Sequence, residues 1–595
     1  MPTLFDSVLR HLKMIALAAL FGLSLPIAAV TTLDPSFGAN GTVVYHLPEG
    51  LNPFPPSGSG VSSVFAKRDG NILAYGSYIG GHSHFGAPMY QQVVLQFSPE
   101  GSPDLNFGNQ GQFNSSEFQV PLVQRDDKAF VQTPTGLTRL NSDGSLDQGF
   151  VATFGIGGPL AQQADGKIVI ADPGSGGGPV IARVNVDGSP DLSFNVAGTA
   201  AIPPGDSLGD TIVGLIIQHD GKIVVAAQST LAAGVGTTNA FALIRFNTDG
   251  TPDSTFGNKG RATGFVFPNA ANFPIGVVLQ PNGRLVVYGY EVVFSASGSL
   301  PAVVLLVGFT PLGVADSSFG TAGAVRISAA GGGAPHDVKV ETDGRLLVAF
   351  NAISAAMDRV MRLTFNGLVD TTFGNVGVIS SPELPSISSI ALQPDGNLLL
   401  GGSATNASST EAGFALQRYL SGPSAVIEFY NASLDHYFIS MDPQEVADLD
   451  LGVYGGWART GQSFAVFGSL AAAKIAAGGV ASNPVCRFYI PPQHGDSHFF
   501  SSDLFECQQA SKKAVTDPNF SGYVEETASA FFVAFPNFLT GACPSGTIPI
   551  YRLWNARFDS NHRYTTDLAI KAQMVASGYI AEGYGPNAVN MCAPQ

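Results

Sequence analysis

Three histidines with aromatic and acidic neighbours are the residues of this chain whose types best suit ligand binding. His436, His498 and His562 occur in the similar stretches LDHYFIS, GDSHFFS and SNHRYTT, 62 and 64 residues apart. An aromatic ring stacks on the apolar face of a sugar, while imidazole and carboxylate groups hydrogen-bond its hydroxyls. The pattern predicts a carbohydrate-binding site formed by Tyr430, Asp435, His436, Tyr489, Asp496, His498, Trp554, Asp559 and His562.

Two other roles compete with sugar binding for these histidines. Each imidazole could hydrogen-bond the backbone of its own loop and so stabilise that loop without contacting a ligand. Three histidines brought together by the fold could also bind a metal ion. The sequence alone leaves these alternatives open, and we predict no metal site.

Catalytic motifs are weak in this sequence. GDSLG at residues 205–209 matches the G-x-S-x-G pattern of serine hydrolases, but Ser207 stands in a Pro- and Gly-containing loop instead of between a strand and a helix. His82 and His84 in GGHSHFG lie two residues apart, as a metal pair on an extended segment would. Two histidines in a glycine-rich loop are weak evidence for a metal. We therefore predict no catalytic residue.

Acidic turns offer a further alternative, which is calcium binding. NSDGSLD, NVDGSPD and NTDGTPD place oxygen atoms as a calcium loop does, but no bidentate Glu follows at the expected distance. Turns whose Asp and Asn side chains bond the backbone explain the same residues. No cofactor is expected, and calcium is the alternative.

The elements that must position these residues come from repeats. A polar phrase recurs along the first two thirds of the chain, as TPDSTFGNKG at residues 251–260, and alternates with phrases such as LIIQHDGKIVVAA at residues 215–227. The second phrase is typical of a β-hairpin, because two β-rich runs flank an Asp-Gly pair that tolerates the positive φ angles of a tight two-residue turn. Two further runs around the polar phrase give four strands per repeat.

The hairpin turns recur seven times with a mean spacing of about 54 residues. They lie at Asp69, Asp127, Asp165, Asp220, Asn282, Asp343 and Asp395. This spacing fits a four-stranded β-propeller blade and is too long for one coil of a parallel β-helix. We therefore predict an all-β chain in which residues 30–422 form a seven-bladed β-propeller.

The first and last repeats are incomplete in complementary ways. Residues 33–47 lack the strands that normally precede the polar phrase, and the last repeat stops after FALQRYL at residues 414–420. The strand near residues 41–47 should therefore complete the last blade and cover its edge. Within the polar phrase we expect Asp to cap a turn, Phe to fill the space between blades, and Gly to supply unusual backbone angles.

Residues 423–595 form a separate, smaller β-rich domain with pseudo-threefold symmetry, because three similar units follow one another and the Asp-Gly hairpins stop. In each unit a Ser/Thr-x-Asp stretch or a close variant should open a short helix. The four cysteines of the chain are Cys486, Cys507, Cys543 and Cys592. Of the three ways to pair them we favour Cys486 with Cys507 and Cys543 with Cys592, since each closes a local segment.

Export is indicated by the N-terminus. Basic residues precede the apolar run MIALAALFGLSLPIAAV, which ends in small residues, so residues 1–29 are predicted to be a cleaved signal peptide. No second apolar span follows, so no membrane span is expected after cleavage. The formal net charge of −16 argues against nucleic acid as a partner.

Two stretches resemble known families. The alternation of LDxxFGxxG with QxDGKI over residues 33–420 resembles the bacterial delta-60 repeat, which implies a β-propeller in a secreted or surface protein and brings no known catalytic residues. RFYIPPQHGDSHFFS and YRLWNARFDSNHRYTT, within residues 425–595, resemble an uncharacterised C-terminal domain of exported bacterial proteins. That resemblance implies secretion and accessory binding, and a related repeat style beside glycan-degrading enzymes makes sugar the expected ligand.

Together these observations predict a monomeric bacterial protein that is secreted, periplasmic or on the cell surface, and that acts as a non-catalytic binding or adhesion protein. The expected partner is a glycan or another cell-envelope component. The alternative is an exported propeller hydrolase of the lactonase, esterase or glycosidase type. Propeller hydrolases gather carboxylates and histidines at a central channel, and the histidines of the repeat region show no periodic placement.

Overall fold

The computed structural model describes residues 32–595 with short gaps. The gaps are residues 48–56, 83–87, 116–118, 134–135, 153–157, 174–177, 204–206, 234–235, 265–269, 296–297, 300–301, 329–332, 352–356, 406–411 and 477–479. The predicted signal peptide and His84 therefore lie outside the described residues, as does the side chain of His82.

The described part of the chain is strand-rich, and between residues 42 and 419 its strands form seven antiparallel sheets. The strands are β1 (Thr42–Tyr45); β2 (Ser57–Ala66), β3 (Ile72–His82), β4 (Pro88–Phe97) and β5 (Gln112–Ser115) in sheet 1; β6 (Gln119–Val123), β7 (Ala129–Thr133) and β8 (Gly136–Leu140) in sheet 2; β9 (Leu160–Gln162), β10 (Ile168–Asp172), β11 (Val180–Val184) and β12 (Thr199–Ala201) in sheet 3; β13 (Gly209–Ile217), β14 (Ile223–Ala233), β15 (Gly236–Phe246) and β16 (Arg261–Gly264) in sheet 4; β17 (Ala270–Leu279), β18 (Leu285–Ser295), β19 (Gly298–Ser299), β20 (Val303–Phe309) and β21 (Ala324–Ile327) in sheet 5; β22 (Pro335–Val340), β23 (Leu346–Phe350), β24 (Arg359–Leu363) and β25 (Val378–Ile379) in sheet 6; and β26 (Ser386–Leu392), β27 (Leu398–Thr405) and β28 (Ala412–Tyr419) in sheet 7.

The hairpin turn of each sheet differs from the predicted two-residue turn. In sheet 4 the Gly221 N–H donates to the Gln218 carbonyl at 2.8 Å, and the Gln218 N–H donates to the Lys222 carbonyl at 2.8 Å. Gly221 has a φ of 78°, whereas the φ of Asp220 is not positive. The Asp220 carboxylate accepts the Lys222 N–H. The turn is thus a three-residue loop with a glycine bulge. In sheet 2, which lacks the glycine, Asp127 takes this position with a φ of 62°.

The polar phrase recurs because it supplies one side of a buried ion pair. The Arg245 Nε–H of β15 donates to Asp253 Oδ2 at 2.8 Å, and both side chains are almost fully buried. Lys222 donates to the same oxygen at 2.8 Å. Burial raises the pKa of Asp253, but the lysine, the Thr255 hydroxyl and the arginine together hold that pKa well below its usual range. The carboxylate is therefore held by contacts within the protein.

Phe256 of the same phrase lies between two sheets, as predicted. The Arg245 guanidinium stacks over its ring at 4.6 Å, and the ring packs into a cluster of apolar side chains from sheets 4 and 5. Gly313, in a turn of sheet 5, lies against the Phe256 ring. A Cβ at Gly313 would come within 2.7 Å of the Phe256 Cζ atom. Arg245 also donates to the Pro311 carbonyl at 2.7 Å, so the same residue links sheet 4 to sheet 5.

The same arrangement recurs around the repeats. The arginine and aspartate pairs, at 2.8–2.9 Å, are Arg139 with Asp147, Arg183 with Asp191, Arg362 with Asp370, and Arg418 with Asp34. In sheet 5 the arginine comes from the hairpin turn instead: Arg284, at the position of Lys222 in sheet 4, donates to Asp316 at 2.6 Å. In sheet 1 a glutamine replaces the arginine: Gln96 donates to Asp104 at 2.9 Å and accepts from Lys67 at 2.7 Å. One repeated contact therefore explains the sequence period.

The first strand of the described chain completes the last sheet, as its sequence predicts. β1 pairs antiparallel with β28, from Thr42 opposite Gln417 to Tyr45 opposite Phe414. Asp34, from the polar phrase ahead of β1, supplies the carboxylate for Arg418 of β28, and Arg418 also donates to the Pro99 carbonyl of sheet 1. Apolar residues of sheets 1 and 7 share one buried cluster. Sheet 7 is thus built from both ends of the repeat region.

The C-terminal module, residues 424–594, contains three more sheets that share a strand order, in which a central strand is flanked on both sides. Unit 1 contains β29 (Ser424–Asn431), β30 (His436–Ser440), α1 (Pro443–Asp450) and β31 (Trp457–Val466), followed by α2 (Leu470–Ala476); unit 2 contains β32 (Asn483–Ile490), β33 (Ser497–Ser501), α3 (Leu504–Thr516) and β34 (Val524–Val533); unit 3 contains β35 (Thr547–Trp554), β36 (His562–Thr565), α4 (Leu568–Ala576), β37 (Ile580–Glu582) and β38 (Met591–Pro594). Two 3₁₀ turns lie at Pro492–His494 and Pro518–Phe520.

The module has one core and two disulfides. Phe429, Phe500 and Tyr564 come from different units and are buried in the same cluster. The disulfides are Cys486–Cys507 and Cys543–Cys592, the pairing that local closure favours. Asp442, Asp503 and Asp567 cap α1, α3 and α4, and this confirms the predicted helix starts.

Helix α1 docks the module onto the repeat sheets. Asp448 of α1 accepts hydrogen bonds from Arg68 at 2.5 Å and Arg125 at 2.7 Å, which belong to the turns of sheets 1 and 2. Gln444 donates to the Ala66 carbonyl at 2.6 Å. Arg459 of β31, which also binds Asp450 of α1, donates to the Thr342 carbonyl of sheet 6 at 2.9 Å. Helix α1 and the adjoining strand β31 therefore together contact the turns of sheets 1, 2 and 6.

Replacing Asp253 with Asn should destabilise the protein strongly. The change leaves Arg245 buried beside a neutral side chain, and breaking a buried ion pair from one side costs about 3 kcal/mol. The matched control is Asp249→Asn in the exposed turn that precedes Asp253, where the carboxylate bonds only Thr251. This substitution should cost less than about 1 kcal/mol. Thermal and denaturant unfolding measure both, and equal effects of the two substitutions would contradict this role of Asp253.

Candidate ligand-binding site in the C-terminal module

Strand register shows which residues of the three units are equivalent, and it corrects the alignment of the histidines. Tyr489 lies opposite His498 and Trp554 lies opposite His562, but Tyr430 lies opposite Tyr437. The distance to the helix cap agrees, because each of Tyr437, His498 and His562 precedes its capping Asp by five residues. His436 is therefore equivalent to Ser497 and Asn561, and the three histidines do not occupy one position.

His436 is a buried side chain, with only 1% of its surface exposed. Its Nε2 lies 3.5 Å from Asp559 Oδ2, but neither ring nitrogen makes a hydrogen bond. The equivalent residues are buried too: Ser497 donates to the Ser560 carbonyl, and Asn561 donates to the Tyr437 carbonyl. This position joins the units to one another, and it does not face a ligand. The one-residue offset turns His436 inward, so the structure places it away from the groove lined by His498.

A charged cluster forms at the first seam, which is the contact between units 1 and 2. Arg487 of β32 binds Glu445 of α1 through two hydrogen bonds of 2.8 Å, and its Nε–H donates to Glu526 of β34 at 2.5 Å. His498 Nε2 lies 3.3 Å from the same Glu526 oxygen. The guanidinium stacks over Phe438 at 5.2 Å. Two carboxylates from different units thus hold one arginine over an aromatic ring.

The charges of this cluster keep Glu526 ionised. Burial raises the pKa of Glu526, but the hydrogen bond with His498 and the charge of Arg487 outweigh burial and lower that pKa to about 2. Beside it, burial and the hydrogen bond to Asp496 raise the pKa of Tyr489 to about 12. The Tyr489 hydroxyl donates to Asp496 at 2.8 Å. Near neutral pH the site therefore presents fixed carboxylates and a neutral phenol.

The cluster forms the floor of a groove of about 430 Å³. Trp457 and Tyr454 of unit 1 line it, together with Tyr489, Asp496 and His498 of unit 2. The size lies within the range of small-ligand pockets, and an aromatic wall with a few polar groups is their usual composition. Of the nine predicted site residues, these last three line the groove.

The second seam, between units 2 and 3, repeats the cluster in a more buried form. Arg552 binds Glu506 at 2.7 and 2.9 Å and Glu582 at 2.9 Å, and it stacks over Phe499 at 4.9 Å. His562 lies 3.4 Å from Glu582, and burial, outweighing that carboxylate, lowers the His562 pKa. The arrangement matches the first seam residue for residue, and its arginine and histidine are more deeply buried.

The third seam, between units 3 and 1, has its charges exchanged. Unit 1 carries Glu428 where the other units carry arginine, and unit 3 carries Arg563 where the others carry phenylalanine. These two residues bind each other at 2.9 and 3.0 Å and are both buried. Arg563 stacks over Tyr437 at 4.2 Å. The groove therefore belongs to the first seam.

The remaining predicted residues make contacts elsewhere. The Tyr430 hydroxyl donates to Asp435 at 2.8 Å, and the Trp554 indole donates to Ser560 at 3.0 Å. Arg557 bridges Asp435 and Asp559, which belong to different units. These contacts stabilise loops of the module.

Sequence reasoning missed the residues that make the groove, namely Trp457, Glu445, Arg487 and Glu526. One signal was present: an arginine stands two residues before Tyr489 in CRFY and two residues before Trp554 in YRLW. No local pattern marks the carboxylates, which join the arginine from 42 residues before it and 39 residues after it. Within the described ranges, no group of three His, Cys, Asp or Glu side chains is placed to hold a metal ion. No helix in that part of the chain combines the length and apolarity needed to span a membrane.

Comparison with known proteins supports the repeat architecture. A family model described as a β-propeller domain of unknown function (DUF5122) matches residues 163–194 and 218–256. Sheets and match together define a protein with β-propeller repeats. No curated protein matches the sequence.

Several solved structures resemble the chain at low identity. A protein of unknown function from Dyadobacter fermentans has 11% identity and a TM-score of 0.36, covering 65% of this chain and 99% of its own. The propeller domain of the Trilobed protease from Pyrococcus furiosus has 9% identity and a TM-score of 0.36, covering 61% and 93%. The gluconolactonase XC5397 from Xanthomonas campestris has 14% identity and a TM-score of 0.31, covering 55% and 90%.

Helix α1 carries Glu445 into the groove, and its N-terminus is sensitive to pH. Asp442 accepts from the Gln444 N–H at 2.8 Å and the Glu445 N–H at 3.4 Å. Burial against the repeat sheets raises the Asp442 pKa to about 6. The folded state thus favours the protonated carboxyl more than the unfolded state does. The stability of the wild type should fall as the pH rises from 4 to 6.

Asp442→Asn should therefore stabilise the protein at pH 7–8 by up to roughly 3 kcal/mol, since asparagine caps the helix without a buried charge. The gain should vanish as the pH falls below 4, where the wild-type carboxyl is protonated in both states. Asp567→Asn changes the equivalent but exposed cap of α4 and should give no gain. Unfolding midpoints across this pH range measure the effect, and a gain that is independent of pH would contradict burial as its cause.

Proposed function

We propose that the protein is an exported, non-catalytic binding protein that recognises carbohydrate through the groove of the first seam. The observation that carries the proposal is that Trp457 of unit 1 and Tyr489 of unit 2 line one groove together with the ionised carboxylate of Glu526. The aromatic rings offer stacking surfaces for pyranose rings, and Glu526, Asp496 and His498 offer acceptors and donors for hydroxyl groups. The two disulfides and the predicted signal peptide support an extracellular or periplasmic location.

The repeat sheets serve as a scaffold in this proposal. We infer that the seven sheets are blades of a closed ring, because β1 completes sheet 7 and Arg418 joins that sheet to sheet 1. A closed ring leaves no free sheet edge and holds α1 against several turns at once. The module would then be presented at one face of the ring.

The alternative, an exported hydrolase, has less support. Its best candidate is a cavity of about 520 Å³ beside β2, β22 and β26, which is lined by His336, Asp337 and Ser389. The Ser389 hydroxyl donates to Asp337 at 3.0 Å and accepts from the Val64 N–H at 3.3 Å, so it links three sheets. His336 faces Asp358 at 3.6 Å. A serine without a histidine partner is a poor nucleophile, and a positive esterase, lactonase or glycosidase screen would overturn the non-catalytic proposal.

Deleting the closing strand tests the ring. A chain that starts at residue 48 lacks β1 and Asp34, so β28 becomes a free edge and Arg418 loses its carboxylate. We expect this chain to aggregate and to melt at a lower temperature than a chain that starts at residue 30. Light scattering and thermal unfolding compare the two, and a monomer with unchanged melting would show that the ring does not need this strand.

Replacing Trp457 with Ala tests the groove. We expect the substitution to weaken binding of the full chain to its best ligand, in a panel of peptidoglycan, chitin, cellulose and starch oligosaccharides, by about tenfold, or about 1.4 kcal/mol. Phe558→Ala is the matched control, because that ring is 86% exposed and lies outside the groove. Calorimetric titration gives the affinities. If no oligosaccharide binds, or if both variants bind equally well, the groove is not a carbohydrate site.

A further inference from the structure

A second cavity lies where α1 docks onto the repeat sheets. Its volume is about 410 Å³, and its walls are the helix and the first strands of sheets 2 to 6. None of the nine residues predicted from the sequence lines it. It is separate from the groove of the first seam, whose lining residues are all different.

The walls of this cavity are mainly apolar. Leu160, Leu215 and Ile217 from sheets 3 and 4 face it, together with Val446 and Ala447 of α1. Ala447 stays exposed although the helix is docked, so the helix presents a small side chain to an open space. Space that apolar side chains leave unfilled forfeits dispersion contacts.

Several polar groups at the rim are bound to one another. Arg125 is bonded to Asp448 and to the Gln163 carbonyl, and Arg459 to Asp450. Glu341 Oε2 lies 3.2 Å from Arg345 Nε, but the two atoms make no hydrogen bond. His219, among the described residues, makes no hydrogen bond.

His219 is neutral near pH 7. Burial lowers the pKa of its imidazole, and Asp450 and Arg459, the charged groups that influence it most, act in opposite directions. A neutral imidazole offers one donor and one acceptor nitrogen. The cavity therefore has mainly apolar walls, paired arginines at its rim and, at His219, a neutral imidazole that makes no hydrogen bond.

We propose that this cavity binds a small neutral molecule with an apolar ring system and a single hydroxyl group, the ring lying against the leucines and the hydroxyl bonded to His219. The volume is within the range of ligand pockets, and a much smaller apolar cavity of about 150 Å³ already accepts benzene. An anionic ligand would meet Arg125 and Arg459, which are already paired with Asp448 and Asp450. The ligand would touch α1 and five sheets together.

The test is titration of the full chain with 2-naphthol and with naphthalene, which lacks the hydroxyl. We expect saturable binding of 2-naphthol with one site per chain, at least tenfold tighter than naphthalene. His219→Ala should remove this preference and leave naphthalene binding unchanged. Ala447→Phe, which fills the space from the helix, should weaken both probes at least tenfold.

The matched control is Ala572→Phe on α4, where an exposed alanine lies outside the cavity; it should leave both affinities unchanged. Trp457→Ala should do the same, which separates this site from the groove. Because Ala447→Phe could disturb docking, His219→Ala decides independently. The absence of saturable binding to the wild type, or a hydroxyl preference that survives His219→Ala, would overturn the proposal.

Discussion

The buried arginine and aspartate pair is the contact on which the rest of the repeat region depends. A buried guanidinium is costly unless every donor is bonded. Arg245 meets that requirement with one carboxylate from its own polar phrase, one glutamine oxygen and one carbonyl of the next sheet. Because one of these acceptors is the Pro311 carbonyl, the contacts that satisfy the Arg245 guanidinium also fix the position of sheet 5 against sheet 4. The arginine charge is therefore fully compensated only when the two sheets are packed correctly.

The phenylalanine of the phrase completes this arrangement. It packs beneath the guanidinium of its own sheet and against a turn glycine of the next, as Phe256 does with Gly313. Any side chain at that glycine would collide with the ring. The conserved spacing within each phrase thus reflects a contact between repeats, and the same contact joins Arg418 and Asp34 across the two ends of the region.

Helix α1 connects the scaffold to the groove. Asp448 binds the turns of sheets 1 and 2, and Glu445, three residues earlier on the same helix, binds Arg487 in the floor of the groove. A ligand that moved Arg487 would act directly on a helix held by the repeat sheets. The position of the groove is therefore set by both parts of the protein.

The sequence by itself determined the strand-rich repeats, the joining of β1 to β28, the helix caps and the cysteine pairing, because each follows from residues close in sequence or from a repeated phrase. The tertiary structure decided the rest. It showed that His436 lies one position away from the residue equivalent to His498 and His562, because strand pairing decides which residues of the three units correspond. It also brought Glu445, Arg487 and Glu526 together beside a groove at the first of three related seams. Those features depend on how whole units pack, and no local pattern of side chains encodes that packing.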